Sequence, residues 1–387
     1  MYIHQIKVTN YRSLKDVSIG DLSNFVVFYG DNDTGKSNVL SFLEYVFRQK
    51  YIVDSPDITQ TEGIPRRPAG FWRGEIENFS DNFYLNGKEP ITFSITIRFD
   101  RSEIEAVLGL PKGFLDSLRS NRVYDHLQIE GRIEPSIGDR AIMTLIEAQF
   151  DQKQFYDGKS SEPKYLPEFN LDSGTALDVF DKIMGKLNNA FLGVSADRFI
   201  TTETELSRNN KAPLKPHSFK NWLFQSSLDR ESERIFRQIS DQFNAAPFSF
   251  GRISIARVSE NEIEAFVEDE RGFKLPIGRK GSGVQQVLMI LSYVAASNAP
   301  FIGIEELEIN LSPKAQTFLF SNLHKLVNTA SSSVKQIFLT THSPHLARRN
   351  EAERRRVWIE GGVTRIGKPS EAEVGGFFSF PVPVPLC

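Results

Sequence analysis

The chain has 387 residues, 40% of them apolar and 25% charged, and carries 31 Phe and a formal net charge of −3. That length and composition allow a sizeable core in one large domain or two and exclude general disorder, while the near-neutral balance excludes a global electrostatic footprint for nucleic acid but not a local one. The single cysteine, Cys387, excludes an intrachain disulfide and a thiolate zinc cluster and fits a reducing, cytoplasmic setting.

The N-terminal MYIHQIKVTNYRSL alternates apolar and polar residues, as a strand does, and lacks the continuous apolar run of a signal peptide. A second strand, NFVVFYG, leads into GDNDTGKS, Gly30 to Ser37, which fits GxxxxGKS, and Val39, Phe42, Leu43 and Val46 then recur at helical spacing up to Arg48. A Gly-rich loop between a strand and a helix is the setting a phosphate cradle requires. Gly30 and Gly35 allow the tight path, and the backbone N–H groups between them and Lys36, those of Asn32, Asp33 and Thr34 included, point into one concavity backed by the positive end of the helix. Lys36 is placed to reach the β and γ phosphates, the Ser37 hydroxyl to bind Mg²⁺, and Asn38 completes the nucleotide-binding candidates. The plainer alternative is a Gly-rich turn that opens an ordinary helix.

Residues 51 to 90 are rich in Pro, Gly, Asn and Asp and read as irregular. ITFSITIRF, HLQIEGRIE and AIMTLIEAQF predict three strands, with a short helical patch from SEIEAVLG onward between the first two. Lys153 to Lys164 reads as a polar connector, and helices are predicted over Ala176 to Leu192 and Leu228 to Phe243. Between them RNNKAPLKPHSFK, Arg208 to Lys220, holds basic residues and no acidic one. It reads as a solvated loop, with contact to a phosphate backbone as the alternative.

The last third opens with strands RISIARV, EIEAFVED and FKLPI. GRKGSGVQQVLMILSYVA, Gly278 to Ala295, is a Gly/Ser turn opening an apolar helix, and so a second anion-binding helix start. Val287 to Ile304 comes nearest to a membrane span, but Ser292, Ser297, Asn298 and Pro300 interrupt it, and it reads as a buried helix followed by a buried strand. In FIGIEELEINLSP that strand ends in adjacent carboxylates, which are costly to hold without a cation or a proton to share. Glu305 is assigned to Mg²⁺ and Glu306 to orienting and deprotonating the attacking water; a surface turn is the bland alternative. A further apolar strand, KQIFLTTHSPHL, ends at Thr341 and His342, and beside the carboxylate strand it would bring His342 to the same sheet edge. His342 and His345 form an HxxH pair, but no cysteine or nearby acidic cluster supports zinc there. The tail FFSFPVPVPLC reads as an extended apolar segment packed on the body or on a partner.

This ordered set, Gly30 to Ser37, Ser282-Gly283 with Gln285 and Gln286, Ile304-Glu305-Glu306 and Thr341-His342-Ser343, resembles the Walker A, signature, Walker B and switch-histidine motifs of ABC-type ATPases. NYRSLKDVSI and GDNDTGKSN look like the branch of RecF, the structural-maintenance-of-chromosomes (SMC) proteins and the OLD (overcoming lysogenization defect) ATPases, and GSGVQQ, IEELE and THSPHL are most similar to the OLD side. The resemblance covers roughly the first 100 and last 150 residues. It implies an α/β, P-loop ABC-type head with an antiparallel β subdomain and a helical insertion: residues 1–165 with Walker A and the β subdomain, 166–248 as the insertion, and 249–387 with signature, Walker B and switch histidine.

The family further implies ATP and Mg²⁺ as ligands, with Lys36, Glu306 and His342 as catalytic residues. It also implies a head-to-tail dimer or higher homo-oligomer in which Ser282, Gly283 and Gln285 serve the partner's nucleotide. Arg12 matches the arginine of the family's N-terminal strand motif and is a candidate phosphate contact. The usual Pro after the two acids is Leu307 here and the family's later His is Ser312; the glutamine loop is unassigned, with Gln49 and Gln60 as candidates. After His342 the chain holds no DxD cluster, so the Toprim nuclease domain of OLD nucleases is not expected. The implied function is an ATP-hydrolysing switch that gates a separate effector, a nuclease or toxin, in defence against phage, with no membrane partner and nucleic acid as an optional one. A repair or chromosome-maintenance ATPase that clamps DNA directly is the alternative, and a scaffold cemented by unhydrolysed nucleotide is a third.

Overall fold

The computed structural model describes residues 1–48, 52–54, 71–87, 89–99, 126–150, 152–159, 164–165, 182–200, 216–230, 232–245, 249–260, 262–329 and 332–369. Strands are numbered in chain order. The central sheet has the order β11 (Phe191–Val194), β15 (Phe301–Ile304), β16 (Gln336–Thr341), β3 (Phe25–Tyr29), β17 (Glu353–Glu360), β18 (Val363–Gly367). Its first five strands are mutually parallel and only β18 runs antiparallel. β3, β15 and β16 are buried on both faces, as parallel strands covered on either side must be, which is why they read as unbroken apolar runs.

Alternation along these strands splits the core in two. Val26, Phe28, Phe301 and Phe338 face one layer and Phe25, Val27, Ile302, Ile304, Ile337 and Leu339 the other. The first layer is filled by helix α1 (Lys36–Arg48), whose Val39, Phe42, Leu43 and Val46 are buried at the spacing the sequence predicts. Beyond α1 lies the second sheet, antiparallel and nine-stranded. Its main path is β10 (Lys164–Tyr165), β9 (Lys153–Asp157), β8 (Arg140–Phe150), β7 (His126–Pro135), β6 (Ile91–Arg98), β1 (Tyr2–Tyr11), β2 (Leu14–Ile19), with β5 (Phe71–Glu77) paired to β8 and β4 (Ile52–Asp54) to β5. The alternating runs ITFSITIR, HLQIEGRIEP and RAIMTLIEAQF form β6 (Ile91–Arg98), β7 (His126–Pro135) and β8 (Arg140–Phe150), while β1 (Tyr2–Tyr11) and β2 (Leu14–Ile19) make the opening hairpin.

On the opposite face of the central sheet pack α2 (Phe219–Leu228), α3 (Glu233–Asn244), α4 (Ser282–Ala296), α5 (Pro313–Val327) and a three-stranded antiparallel sheet of β12 (Arg252–Arg257), β13 (Ile263–Glu268) and β14 (Lys274–Pro276). The Val287 to Ile304 stretch is thus part of a buried helix and a buried strand, as read from sequence. Among the described residues no helix is long and apolar enough to cross a membrane.

Three expectations change. Within residues 51 to 90, Ile52–Asp54 (β4) and Phe71–Glu77 (β5) are strands, because they find ladder partners in each other and in distant β8. The connector from Lys153 contains β9 (Lys153–Asp157), a hairpin return of β8, and β10 (Lys164–Tyr165) closes on it. The helix expected to run to Leu192 stops by Leu187, and Phe191–Val194 is a strand, held in parallel register to β15. The helical patch from SEIEAVLG, both glutamine-loop candidates, most of the Arg208 to Lys220 segment and the Pro-rich tail lie outside the described residues.

A candidate nucleotide site at the ends of the central strands

β3 runs into the Gly30 to Gly35 loop, and α1 starts at Lys36. Gly35 has φ +96, and a Cβ there would stand 2.5 Å from both Ser13 Oγ and Thr364 Oγ1, so the position admits only glycine. These two hydroxyls brace the loop from outside. Thr364 Oγ1 donates to Thr34 O at 2.8 Å and accepts from Ser13 Oγ at 2.7 Å, tying the loop to the β1–β2 turn and to β18. Asp33 adopts a left-handed φ of 59, Asn32 is exposed, and Thr34 Oγ1 donates to Asp31 O at 2.9 Å.

Lys36 is only 6% exposed, and its Nζ donates to Gly30 O at 3.0 Å and Asp31 O at 2.6 Å. Burial pulls its pKa below the usual lysine value, opposed by the charges of Glu306, Glu308, Asp31 and Asp33. The lysine and the acids therefore share one electrostatic site. Arg12, at a φ of 46 in the β1–β2 turn, donates through Nη1 to Asn38 Oδ1 at 3.2 Å and through Nε to Asn82 Oδ1 at 2.7 Å, while Asn38 Nδ2 donates to Ser13 Oγ at 2.8 Å. Arg12 thus stands beside the first turn of α1.

β15 lies between β11 and β16 and delivers Glu305 and Glu306 to the same edge. The Glu305 carboxylate lies beside the Ser37 hydroxyl and accepts from Ala196 N at 3.4 Å; burial nevertheless raises its pKa above the usual carboxylate value. Glu306 has a left-handed φ of 43, a conformation that costs a non-glycine residue about 1–3 kcal/mol unless its surroundings enforce it. Its N–H donates to Thr340 Oγ1 on β16 at 3.0 Å.

Parallel pairing of β15 and β16 places His342 just beyond Thr341 at this edge. The imidazole is 42% exposed, with Nδ1 3.2 Å from Glu308 Oε1, and the same oxygen accepts from His342 N at 2.6 Å and Ser343 N at 3.2 Å. His345 Nε2 instead meets Thr317 Oγ1 at 2.7 Å. Leu307, where the family has Pro, is fully buried, and Ser312, where it has His, is the N-cap of α5 and accepts from Ala315 N at 3.3 Å.

Ser282 and Gly283 open α4, with Gly281 as its N-cap. Gly283 packs so closely on the loop after the acids that a Cβ would stand 2.5 Å from Asn310 O. Gln285 Nε2 folds back onto Lys280 O at 3.0 Å, and Gln286 is fully buried. Within one chain the structure thus brings together Lys36, Ser37, Glu305, Glu306 and His342, with Arg12 and Asn38 at one flank; Ser282, Gly283 and Gln285 form a separate helix start tied to them through the Asn310 turn.

Two residues of this edge were not singled out from sequence. Glu308 was visible as the third acid of IEELE, but nothing in the spacing distinguished its carboxylate as the one that holds His342. Arg198 lies in a stretch without periodicity.

A strand, a glycine-bound loop and a helix at the same sheet edge as the twin carboxylates that follow β15, flanked by an antiparallel sheet, define the fold of an ABC-type ATPase head. The profile of the family described as "AAA ATPase domain" matches residues 1–347, and the chain belongs to that family and is an ATPase. A Helicobacter pylori protein named "ATP/GTP phosphatase" is 22% identical over 349 residues, 88% of this chain and 85% of that one. Among solved structures, the SMC head bound to the C-winged helix domain of ScpA aligns over 97% of this chain and 100% of its own at TM-score 0.51 and 14% identity. The Pyrococcus furiosus SMC head with an extended coiled coil, bound to the C-terminal domain of ScpA, aligns over 95% and 96% at TM-score 0.51 and 13% identity. At those identities the likeness is one of fold.

Proposed function

We propose that the chain is an OLD-like ATPase that binds ATP with Mg²⁺ at this edge and hydrolyses it as a nucleotide-gated switch over a separate effector. The observation that carries the reading is the convergence of Lys36, Ser37 and Glu305 with Glu306: a buried cation in the field of Glu306, and the Ser37 hydroxyl beside the Glu305 carboxylate. Lys36 now spends its donors on two loop carbonyls, and terminal phosphate oxygens would take them over with full charge assistance. The loop N–H groups from Asn32 to Lys36 hold the polyphosphate, and Arg12 and Asn38 serve it from the flank.

Ser37 and Glu305 supply the oxygen ligands that Mg²⁺ favours, and the ion would hold and polarise the phosphate oxygens. Glu306 takes the proton of the attacking water, and His342, fixed by Glu308, stands at the same edge to hold the terminal phosphate. Ser282, Gly283 and Gln285 complete the site of a second copy, so the working unit is a head-to-tail dimer or a larger closed assembly.

The switch reading, with a nuclease or toxin as the gated effector and a role in phage defence within the cytoplasm, rests on the resemblance of GSGVQQ, IEELE and THSPHL. The SMC heads of the same fold are bound to ScpA, which supports a protein partner here as well. The division into residues 1–165, 166–248 and 249–387 belongs to the same proposal, with the reservation that Phe191–Val194 joins the central sheet. Phosphate release by purified protein tests it: Lys36→Ala loses ATP binding, and Glu306→Gln binds ATP but turns over at least about 100-fold more slowly. Unchanged turnover in both variants contradicts the proposal.

A further inference from the structure

Arg198 is 1% exposed, a rare state for a guanidinium, and burial pushes its pKa down to about 10 against the opposing charges of Glu308, Glu305 and Glu306. The bonds it makes are to backbone carbonyls, while its buried Nε has no partner among the described residues. Nη1 reaches Glu305 O at 2.7 Å and Ser195 O at 2.7 Å, and Nη2 reaches Glu306 O at 2.9 Å. The guanidinium therefore spans the carbonyls of both acids, in the turn where Glu306 takes its left-handed φ. On its other side the same turn is tied by Glu306 N to Thr340 Oγ1. Together the two tethers fix the peptide planes before and after Glu306, and with them the direction in which its side chain leaves the chain.

We propose that Arg198 is a positioning residue for hydrolysis, which holds the Glu306 carboxylate where it meets the attacking water without touching nucleotide itself. The inference rests on the assignment of Glu306 as the base and deepens it. Only a planar fork fits. A lysine ammonium in the same place keeps the charge but cannot bridge two carbonyls from fixed directions. A general base displaced by about 1 Å forfeits on the order of a hundredfold in rate, whereas the phosphate cradle is built from other segments and keeps its affinity.

The test compares wild type, Arg198→Lys, Arg198→Met, Thr340→Val and Glu306→Gln as full-length chains. Thermal unfolding, affinity for a fluorescent ATP analogue with Mg²⁺, and steady-state kcat and KM for ATP are measured on each. The expected result is a kcat lowered about 10- to 100-fold in Arg198→Lys and Arg198→Met, with KM and analogue affinity within about threefold of wild type. Thr340→Val, which removes the other tether, lowers kcat in the same selective way. Loss of thermal stability at wild-type kcat in the folded Arg198 variants makes Arg198 a purely structural residue and overturns the proposal. If neither Arg198 variant folds, Thr340→Val decides, and a wild-type kcat there overturns it. Normal turnover in Glu306→Gln would remove the base assignment itself, a failure separable from that of Arg198.

Discussion

The chemistry at Gly35, Lys36 and the twin acids depends on single atoms. Gly35→Ala has to place a methyl group against Ser13 Oγ and Thr364 Oγ1 from a left-handed backbone. It is expected to cost about 1–3 kcal/mol of stability in chemical denaturation and to abolish ATP binding. Gly185→Ala is the control: a Cβ there meets nothing within 4 Å, the residue is helical, and the change is expected to be neutral or to stabilise by up to about 1 kcal/mol. Residues of this kind were legible in the sequence because a glycine forced by backbone geometry, a lysine at a helix start and acids at a strand tip each break a local pattern. Arg198 and Glu308 break none. One is an arginine in irregular chain and the other a third acid in an acidic run, and only long-range packing turns the first inward and the second toward His342.

Elements are positioned by cross-chain contacts that no window of sequence contains. The fully buried Gln336, at the start of β16, accepts from Ile3 N at 2.7 Å and donates to Ile3 O at 2.8 Å and Ser23 O at 2.7 Å. One side chain thus ties the strand that leads to His342 to the opening strand of the antiparallel sheet. Gln336→Leu leaves those backbone groups without partners and is expected to destabilise by roughly 2–4 kcal/mol, measured as a shift in denaturation midpoint without change in slope. Long, regular segments such as β6, β7, β8, α1 and α4 could be read from periodicity alone. β4, β5, β9 and β11 could not: they are three to seven residues long and owe their extended form to ladders with β5, β8 and β15. For the same reason Phe191 and Leu192 read as the tail of a helix, although they open an outer strand of the central sheet.

In the whole molecule, the proposed function has two helix starts serve one chemistry. α1 begins beside the acids of its own chain, whereas α4 begins at Ser282 on the far side of the Asn310 turn, braced against the loop that follows those acids. Closure of one copy on another would load that turn directly, which gives bound nucleotide a mechanical route from the dimer interface to Glu306 and, through Arg198, to the end of β11. On the proposed function such a head is half of two sites rather than the whole of one. The most direct test mixes two variants, Lys36→Ala, which spoils the cradle, and Ser282→Arg, which spoils the helix start offered to a partner. Each alone is expected to be inactive. Mixed in equal amounts they should recover about a quarter of wild-type phosphate release per chain, since half the dimers are mixed and each of those keeps one intact composite site. Full activity of Ser282→Arg alone, or a mixture no more active than its components, would contradict the account.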